Sequence, residues 1–315
     1  MPRVINRIKK RDDRLKNMQM LHSAASYLFR SPPSQYAARK ITSRTLRKQF
    51  GQPVEQSQGV RNVIPLILHN HLEIGIREPP YGVRVVGLPG GAGKTTHTRI
   101  VCERLRKAGE ISGVCAVVGG AIARASSGPA LQLAISEYVV GPSIKTLLKD
   151  TSMDMDMISD YLTSVAKDGE RPIVLVIDQF DHIMRNNEHN SVYSLVTGLA
   201  EDSVQTMKYV VVIGVSDPSH AATILRWNGG SKIHGLGHNS STYKWGEDSI
   251  RTLMNEYSGV VPPDWFYKCA VRAGTPGYVV ECMKELSVNN TNESYFHQKC
   301  AQVESQWRKW EDVPR

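Results

Sequence analysis

The sequence RVVGLPGGAGKTTHTRIV, residues 84–101, is the most informative stretch of this chain. It joins a short β-branched run to a glycine-rich turn, and a helical pattern starts near Lys94. The usual phosphate-binding loop reads Gly, four residues of any kind, and then Gly-Lys-Ser/Thr. Counting back from Lys94 places Leu88 where the first glycine belongs, and the glycine stands one residue earlier, at Gly87. The first question is whether a loop shifted in this way still binds a nucleotide.

The loop keeps every group that phosphate binding requires. Its glycines let backbone N–H groups point at phosphate oxygens, and the start of the following helix adds partial positive charge. Lys94 has the length to reach the β- and γ-phosphates, and the Thr95 hydroxyl is placed to ligate Mg²⁺. Phosphate binding needs no side chain at position 88. We therefore expect Gly87 to help the strand turn into the loop, although it lies one residue earlier than in the usual pattern. We predict an ATP and Mg²⁺ site in what we call the phosphate loop: Pro89, Gly90, Gly91, Ala92, Gly93, Lys94, Thr95 and Thr96.

A second motif lies at the end of the apolar run IVLVI, residues 173–177. The carboxylate of Asp178, directly after this run, is predicted to hold Mg²⁺ beside the Thr95 hydroxyl. The next residue, Gln179, cannot accept a proton, so we expect slow hydrolysis. Asp181 is the nearest substitute acid, and it either activates the attacking water or caps the helix after the strand.

Apolar runs and helical patterns alternate through the middle of the chain. The runs that predict strands are residues 83–88, 113–120, 173–177, 209–217 and 232–237. Continuous apolar strands separated by helices indicate a parallel sheet covered on both faces. We therefore predict an α/β fold, a three-layer P-loop NTPase core with a five-stranded parallel sheet, over residues 81–240. Two of its helical stretches are expected near residues 129–140 and 143–167.

Two boundaries are predicted to divide the chain into three parts. Pro79 and Pro80 stop the apolar stretch before them, so residues 1–80 are predicted to form an N-terminal extension outside the core. From about Tyr243 the pattern is only helical, and residues 241–315 are predicted to form an all-α C-terminal segment.

The positive charge of the chain is concentrated at its N-terminus. Residues 1–50 hold 13 Lys/Arg and 2 Asp/Glu, whereas the net charge of the whole chain is +9, so the remainder is nearly neutral. Such a basic arm indicates a nucleic-acid partner, with a solvated tail as the alternative. An organelle-targeting presequence is disfavoured by Asp12 and Asp13. Trp307 and Trp310 either stack on nucleic acid or pack the last helix onto its neighbours.

Composition narrows the class of protein further. No apolar run approaches the roughly 20 residues that a membrane-spanning helix needs. The five cysteines show no metal-ligand spacing, which favours thiols in a reducing compartment. We therefore expect an intracellular protein, cytoplasmic or nuclear, with organelle targeting left open.

Four features together resemble the AAA+ and STAND-type P-loop ATPases: GLPGGAGKTT, IVLVIDQFD, YVVVIGVSD and the helical C-terminal segment. The resemblance implies a γ-phosphate-sensing polar residue after the fourth core strand, which is Ser216 or Asp217. It also implies an arginine that reaches the nucleotide of a neighbouring subunit, for which Arg226 is the candidate and a plain surface arginine the alternative. The C-terminal segment resembles the lid of these families, and we call it the lid. Gly277 stands where the lid usually carries a sensor arginine.

Three functions are compatible with these features. The first is an ATPase that forms a homo-oligomer and acts on nucleic acid through the basic arm, as in replication, transposition or genome packaging. The second is a STAND-like ATP switch or protein-remodelling ATPase with a protein partner. The spacing of Asp178 and Asp181 favours the STAND-like switch. The third, a small-molecule kinase, is disfavoured because the lid lacks the arginine-rich character expected of one.

Overall fold

The computed structural model describes residues 66–117, 171–185, 189–227, 232–236, 243–256, 261–287, 292–311 and 313. The basic arm and the helical stretches expected near residues 129–140 and 143–167 lie outside these ranges. Within them, no helix is long and apolar enough to cross a lipid bilayer.

Five parallel strands form a single sheet. They are β1 (Gly82–Gly87), β2 (Gly113–Val117), β3 (Ile173–Ile177), β4 (Tyr209–Val215) and β5 (Ile233–Leu236), in the spatial order β2-β3-β4-β1-β5. Every residue of β1, β3 and β4 is buried, because β-branched side chains occupy both faces of these strands. The predicted α/β core with a five-stranded parallel sheet is confirmed. Since β4 lies between β1 and β3, the segments that follow these three strands meet at one edge of the sheet.

Nine helices accompany the sheet in the described ranges. The first five are α1 (Leu66–Arg77), α2 (Lys94–Lys107), α3 (Asp181–Met184), α4 (His189–Thr206) and α5 (Pro218–Arg226). The lid contains α6 (Glu247–Glu256), α7 (Asp264–Ala273), α8 (Pro276–Ser287) and α9 (Glu293–Glu311). Helices α4 and α5 pack on β1 and β4, whereas α1 packs on α2 and β5.

Helix α1 belongs to the core, which corrects the prediction for residues 66–77, the described helix within the extension predicted over residues 1–80. Its side chains Leu68, Leu72 and Ile76 recur every four residues and are fully buried in the same cluster as the sheet. The guanidinium group of Arg84 in β1 also donates to backbone carbonyl oxygens in α1 and in the turn after it. The two prolines end the helix, but they do not separate it from the sheet, because its apolar stripe is buried against the core.

The last helix joins the lid to the core. The lid has its own aromatic cluster, in which Phe266 and Phe296 are fully buried. Near the end of α9, Trp307 is buried in the core cluster and its indole N–H donates to the carbonyl oxygen of Ala273 at 2.8 Å. Trp310 is 4% exposed. Both tryptophans are therefore largely buried, which favours packing of the last helix over stacking on nucleic acid.

Candidate functional site

The phosphate loop connects β1 to α2 through two glycines in the left-handed region. Gly91 has φ 75° and Gly93 has φ 91°, a conformation that side chains rarely adopt. Gly93 is also the N-cap of α2, so the helix starts at Lys94, as predicted. A side chain at Gly90 would meet no atom within 4 Å, which leaves the outer side of the loop open. The sequence GGAGK thus folds into a turn that leads directly into a helix N-terminus.

The displaced glycine has a packing role that sequence reasoning missed. Gly87 is the last residue of β1, and a Cβ atom there would lie 2.5 Å from a ring carbon of Trp310. The next residue, Leu88, is fully buried, and its N–H donates to the carbonyl oxygen of Val215 at 3.2 Å, which extends the pairing with β4. The expectation that Gly87 serves the turn is therefore wrong. The turn begins at Pro89, and Gly87 makes room for an aromatic ring.

Lys94 is folded back over the loop from which it comes. Its ammonium group donates to the carbonyl oxygens of Leu88 at 2.7 Å and Pro89 at 3.0 Å. Burial lowers the pKa of Lys94 to about 8, although the carboxylates of Asp178 and Asp181 act to raise it. A cation held near two carboxylates and the open side of a glycine loop is suited to contact phosphate oxygens.

Thr95 and Asp178 meet across β4, as the sequence predicted. The Thr95 hydroxyl donates to Oδ2 of Asp178, and Oδ1 accepts the N–H of Gln179 at 2.9 Å. Gly214 in β4 makes this arrangement possible, because a Cβ atom there would overlap Oδ1 of Asp178. Sequence reasoning missed Gly214, although a glycine inside an apolar strand often marks a close approach.

A hydroxyl beside a carboxylate is an oxygen donor set that fits Mg²⁺. This ion is commonly held by one or two protein oxygens, with substrate phosphates and waters completing its coordination. No cluster of three or more His, Cys, Asp or Glu side chains suited to a metal occurs in the described ranges. Phosphate oxygens and waters would supply the remaining coordination of a Mg²⁺ ion held by Thr95 and Asp178.

Asp181 ties the end of β3 to the turn after β4. Its Oδ2 accepts the N–H of Ser216 at 2.7 Å, and its Oδ1 accepts the N–H of Asp217 at 3.0 Å. Oδ1 also lies 3.1 Å from Nδ1 of His220. The N-cap of α3 is Phe180, without a side-chain cap. The carboxylate therefore holds the neighbouring turn in place, and it does not cap its own helix.

The turn after β4 separates the two candidates for the γ-phosphate sensor. Burial acts to raise the pKa of Asp217, but hydrogen bonds from the N–H and hydroxyl of Ser219 outweigh it and lower this pKa. Asp217 is thereby engaged as the N-cap of α5. The side chain of Ser216 is half-buried beside it, and Arg226 is exposed at the far end of α5.

The lid rests directly on the phosphate loop. The N–H of Gly277 in α8 donates to the carbonyl oxygen of Gly91 at 2.9 Å. A Cβ atom on Gly277 would lie 2.6 Å from Cα of Gly91, so the two backbones are in contact. The place of the usual sensor arginine is thus filled by backbone. Sequence reasoning noted the missing arginine but not the contact that replaces it.

A pair of buried histidines lies one turn beyond the phosphate loop. Nδ1 of His97 in α2 is 3.0 Å from Nε2 of His69 in α1. Burial lowers the pKa of His97 to about 3 and, with a contribution from the positive charge of Arg104, that of His69 to about 4. The pair is therefore neutral near pH 7 and links α1 to the helix that carries Lys94.

No family model matches this chain, and a search of curated proteins found no match. Among solved structures, it is similar to a Walker-type ATPase of Pyrococcus abyssi, with 11% identity and a TM-score of 0.49 over 75% of this chain and 70% of that one. It is also similar to the ORC1 protein of Aeropyrum pernix in complex with DNA, with 16% identity and a TM-score of 0.44 over 78% of this chain and 64% of that one.

A third similar structure is domain III of the replication initiation protein DnaA from Thermotoga maritima, with 12% identity and a TM-score of 0.39 over 80% of this chain and 93% of that one. All three TM-scores are below 0.5.

Proposed function

We propose that this chain binds ATP with Mg²⁺ in the phosphate loop. The observation that carries the proposal is the contact between the Thr95 hydroxyl, at the start of α2, and the Asp178 carboxylate, directly after β3, near the Lys94 ammonium. An oxygen pair for the metal and a buried cation for the phosphates are the two parts that a Mg–triphosphate site needs. The proposal therefore assigns metal binding to Thr95 and Asp178 and phosphate binding to the loop.

We propose slow hydrolysis as the accompanying reaction. Mg²⁺, when bound, neutralises charge on the phosphates. Lys94 would exchange its two carbonyl contacts for phosphate oxygens, and the Ser216 hydroxyl would contact the terminal phosphate. Gln179 cannot take the proton of the attacking water. Asp181 is the nearest acid, and each of its oxygens already accepts a hydrogen bond, so proton transfer to it requires a contact to open.

Calorimetry of the full chain with Mg·ATP tests the binding proposal. Lys94→Ala removes the buried ammonium and leaves phosphate charge opposed by backbone dipoles, so affinity should fall by about 10²-fold, as for the loss of charge-assisted hydrogen bonds. Lys107→Ala, at the exposed far end of the same helix, is the matched control and should bind like the native chain. Unchanged binding by the Lys94→Ala protein would contradict the proposal.

We further propose that the ATPase acts on nucleic acid, in replication, transposition or packaging, through its basic arm. The support is the concentration of positive charge in residues 1–50, which lie outside the described ranges, beside a nearly neutral remainder. Comparing the ATP turnover of the full chain with and without DNA and RNA tests this proposal. Stimulation by either polymer supports it, and indifference to both counts against it.

Self-association belongs to the same proposal, with Arg226 as the residue offered to a neighbouring copy. Its side chain is exposed at the end of α5. A non-hydrolysable ATP analogue should then promote oligomers, measured by light scattering at micromolar concentration. Arg226→Ala should still bind ATP but hydrolyse it about 10³-fold more slowly. A chain that remains monomeric with the analogue would exclude a ring or filament.

A nucleotide-controlled switch is the second candidate function, and the contact between Gly277 and Gly91 favours it. A lid that rests on the phosphate loop must respond to whatever occupies the loop, and Gln179 would let the ATP-bound state persist. Hydrogen exchange in α8 tests this function. A change in protection between ATP-analogue and ADP states, with no stimulation of turnover by nucleic acid, would favour the switch.

A further inference from the structure

A cavity of about 690 Å³ lies beside the phosphate loop. Gly90 contributes to it from the loop, Ser216 from the turn after β4, Arg226 from α5, and Lys309 and Trp310 from α9. Its volume falls within the range of about 300–1,000 Å³ that small-molecule sites occupy, and it exceeds what one terminal phosphate requires. The cavity therefore has room for a second ligand next to the one proposed for the loop.

The charged groups around this cavity leave it electropositive. Three cations line it, Arg185, Arg226 and Lys309, and within the described ranges their side chains make no ion pair or hydrogen bond. Two carboxylates also line it, but both are already satisfied. Asp181 accepts backbone N–H groups, and Asp217 caps α5. Free cations beside compensated carboxylates favour an anionic ligand.

The rest of the lining is apolar. Ala222, Trp310 and Val313 contribute apolar surface, and Gln306 adds an exposed amide. An inorganic anion would contact only the cations, whereas an anion attached to an organic group would contact both the cations and the apolar side chains. This combination is matched by a phosphate ester, with its phosphate towards Arg185 and Lys309 and its organic part towards Ala222, Trp310 and Val313.

We propose that this cavity binds a phosphate ester, either a free nucleoside monophosphate or one nucleotide of a single strand. The site is separate from the nucleotide of the phosphate loop, since its cations are not residues of that loop and neither Lys94 nor Asp178 lines it. The phosphate ester would lie beside the terminal phosphate of a bound ATP, because Gly90 and Ser216 line the same cavity.

Binding to the full chain, saturated with Mg²⁺ and a non-hydrolysable ATP analogue, tests the proposal. The probes are thymidine 5′-monophosphate, by calorimetry, and a fluorescent oligothymidylate, by anisotropy. The test variant is Arg185→Glu/Lys309→Glu, which reverses two cavity charges. The control is Lys268→Glu/Arg308→Glu, which makes the same change in net charge at two exposed cations that do not line the cavity.

At least one probe should bind the test variant about tenfold or more weakly than the native chain, because charge-assisted contacts to phosphate are lost, while the control binds like the native chain. If the test variant binds the monophosphate more weakly, the ligand of the cavity is a free nucleotide. If it binds only the oligonucleotide more weakly, the ligand is a nucleotide of a single strand. Equal affinity of test and control variants for both probes, or no binding of either probe to the native chain, overturns the proposal.

Two additions keep this result interpretable. Arg185→Ala/Lys309→Ala should give the same direction of change without introducing carboxylates, and thermal melting checks that each variant is folded. The titrations are repeated on the Lys94→Ala chain without the analogue. If the probes still bind the Lys94→Ala chain, the cavity site is supported even if the loop holds no ATP. If the probes bind the native chain but not the Lys94→Ala chain, the two sites are not separate.

Discussion

Asp181 illustrates how a single carboxylate organises the end of the sheet. It follows β3, yet it accepts the backbone N–H groups of Ser216 and Asp217, which follow β4. Hydrogen bonds from neutral N–H groups to a buried carboxylate are stronger than those between neutral partners. This residue therefore fixes where the Ser216 hydroxyl lies, whether or not it also accepts a proton during hydrolysis.

Asp181→Asn is predicted to affect turnover more than binding. The amide keeps one acceptor oxygen but turns an NH₂ group towards backbone N–H or His220, so stability should fall by about 1–3 kcal/mol. Turnover should fall by about 10²-fold while ATP affinity is kept, as for loss of a general base or of its alignment. His220→Gln, which alters one contact, is the control. An Asp181→Asn protein that hydrolyses ATP at the native rate would restrict Asp181 to a structural role.

Among the helices, α8 depends on the absence of a side chain where it meets the phosphate loop. Both partners in this contact are glycines, so the lid approaches the loop as closely as backbone allows. The N–H of Gly277 is the donor in a hydrogen bond to Gly91, at the first turn of α8. The position of the lid is therefore sensitive to a single added methyl group.

Gly277→Ala is predicted to loosen the lid. Its Cβ atom would lie 2.6 Å from Cα and 2.9 Å from the carbonyl oxygen of Gly91, and backbone cannot move aside as a flexible side chain can. The overpacking should destabilise the protein by about 1–3 kcal/mol, measured as a lower melting temperature. Gly90→Ala adds the same methyl group on the open side of the same loop and should melt like the native chain. Equal melting temperatures for the two variants would show that the lid does not rest on the loop.

The histidine pair between α1 and α2 predicts a pH dependence of stability. The folded-state pKa values, about 3 for His97 and about 4 for His69, lie below the ordinary histidine pKa of 6.5. As pH falls from about 6.5 towards 4, these histidines become protonated in the unfolded chain but stay neutral in the folded protein. The free energy of unfolding therefore decreases. The slope is at most roughly 1.4 kcal/mol per pH unit for each histidine.

Urea denaturation at pH 7 and pH 5 measures this effect. His97→Asn should lose less stability than the native chain between these two values, because its unfolded state has one proton fewer to gain. The exposed His182 supplies the control, and His182→Gln should match the native pH dependence. The same loss of stability in His97→Asn and in the native chain would mean that the pair is protonated in the folded protein.

For the molecule as a whole, the division of charge predicts a salt-dependent interaction with nucleic acid. Residues 1–50 carry all of the excess positive charge. If about six phosphate contacts form on duplex DNA, log K should fall with log salt at a slope of roughly −5. Sequence preference should be small, because flexible Lys and Arg side chains mainly contact phosphates.

Deleting residues 1–50 should remove most of this DNA affinity and leave ATP binding intact, since the phosphate loop lies in the nearly neutral remainder. A gel-shift titration of the full and shortened chains at two salt concentrations measures both effects. Equal, weak binding by the two chains would remove nucleic acid as the preferred partner and favour the switch.

The fold and the centre of the site were predictable because their signals are local. Continuous apolar runs predict buried parallel strands, and GGAGKTT predicts a turn into a helix N-terminus. Asp178 follows such a run directly, so its place at the edge of the sheet follows from the run itself. The prolines after α1 do not mark a domain boundary, and the repeat of apolar side chains in α1 is the signal in the sequence that indicates its burial.

Spacing along the chain thus determines the five strands, the phosphate loop and the acid at the end of β3, because backbone preference and hydrophobic period act over a few residues. The remaining features depend on which distant surfaces pack together. Trp310 requires a glycine at position 87, Gly277 lies against Gly91, and Asp181 holds the turn after β4. Interiors are close-packed, so a missing Cβ atom matters only where another part of the chain fills its space. No local pattern encodes that partner, and it becomes visible when the sheet and helices are assembled.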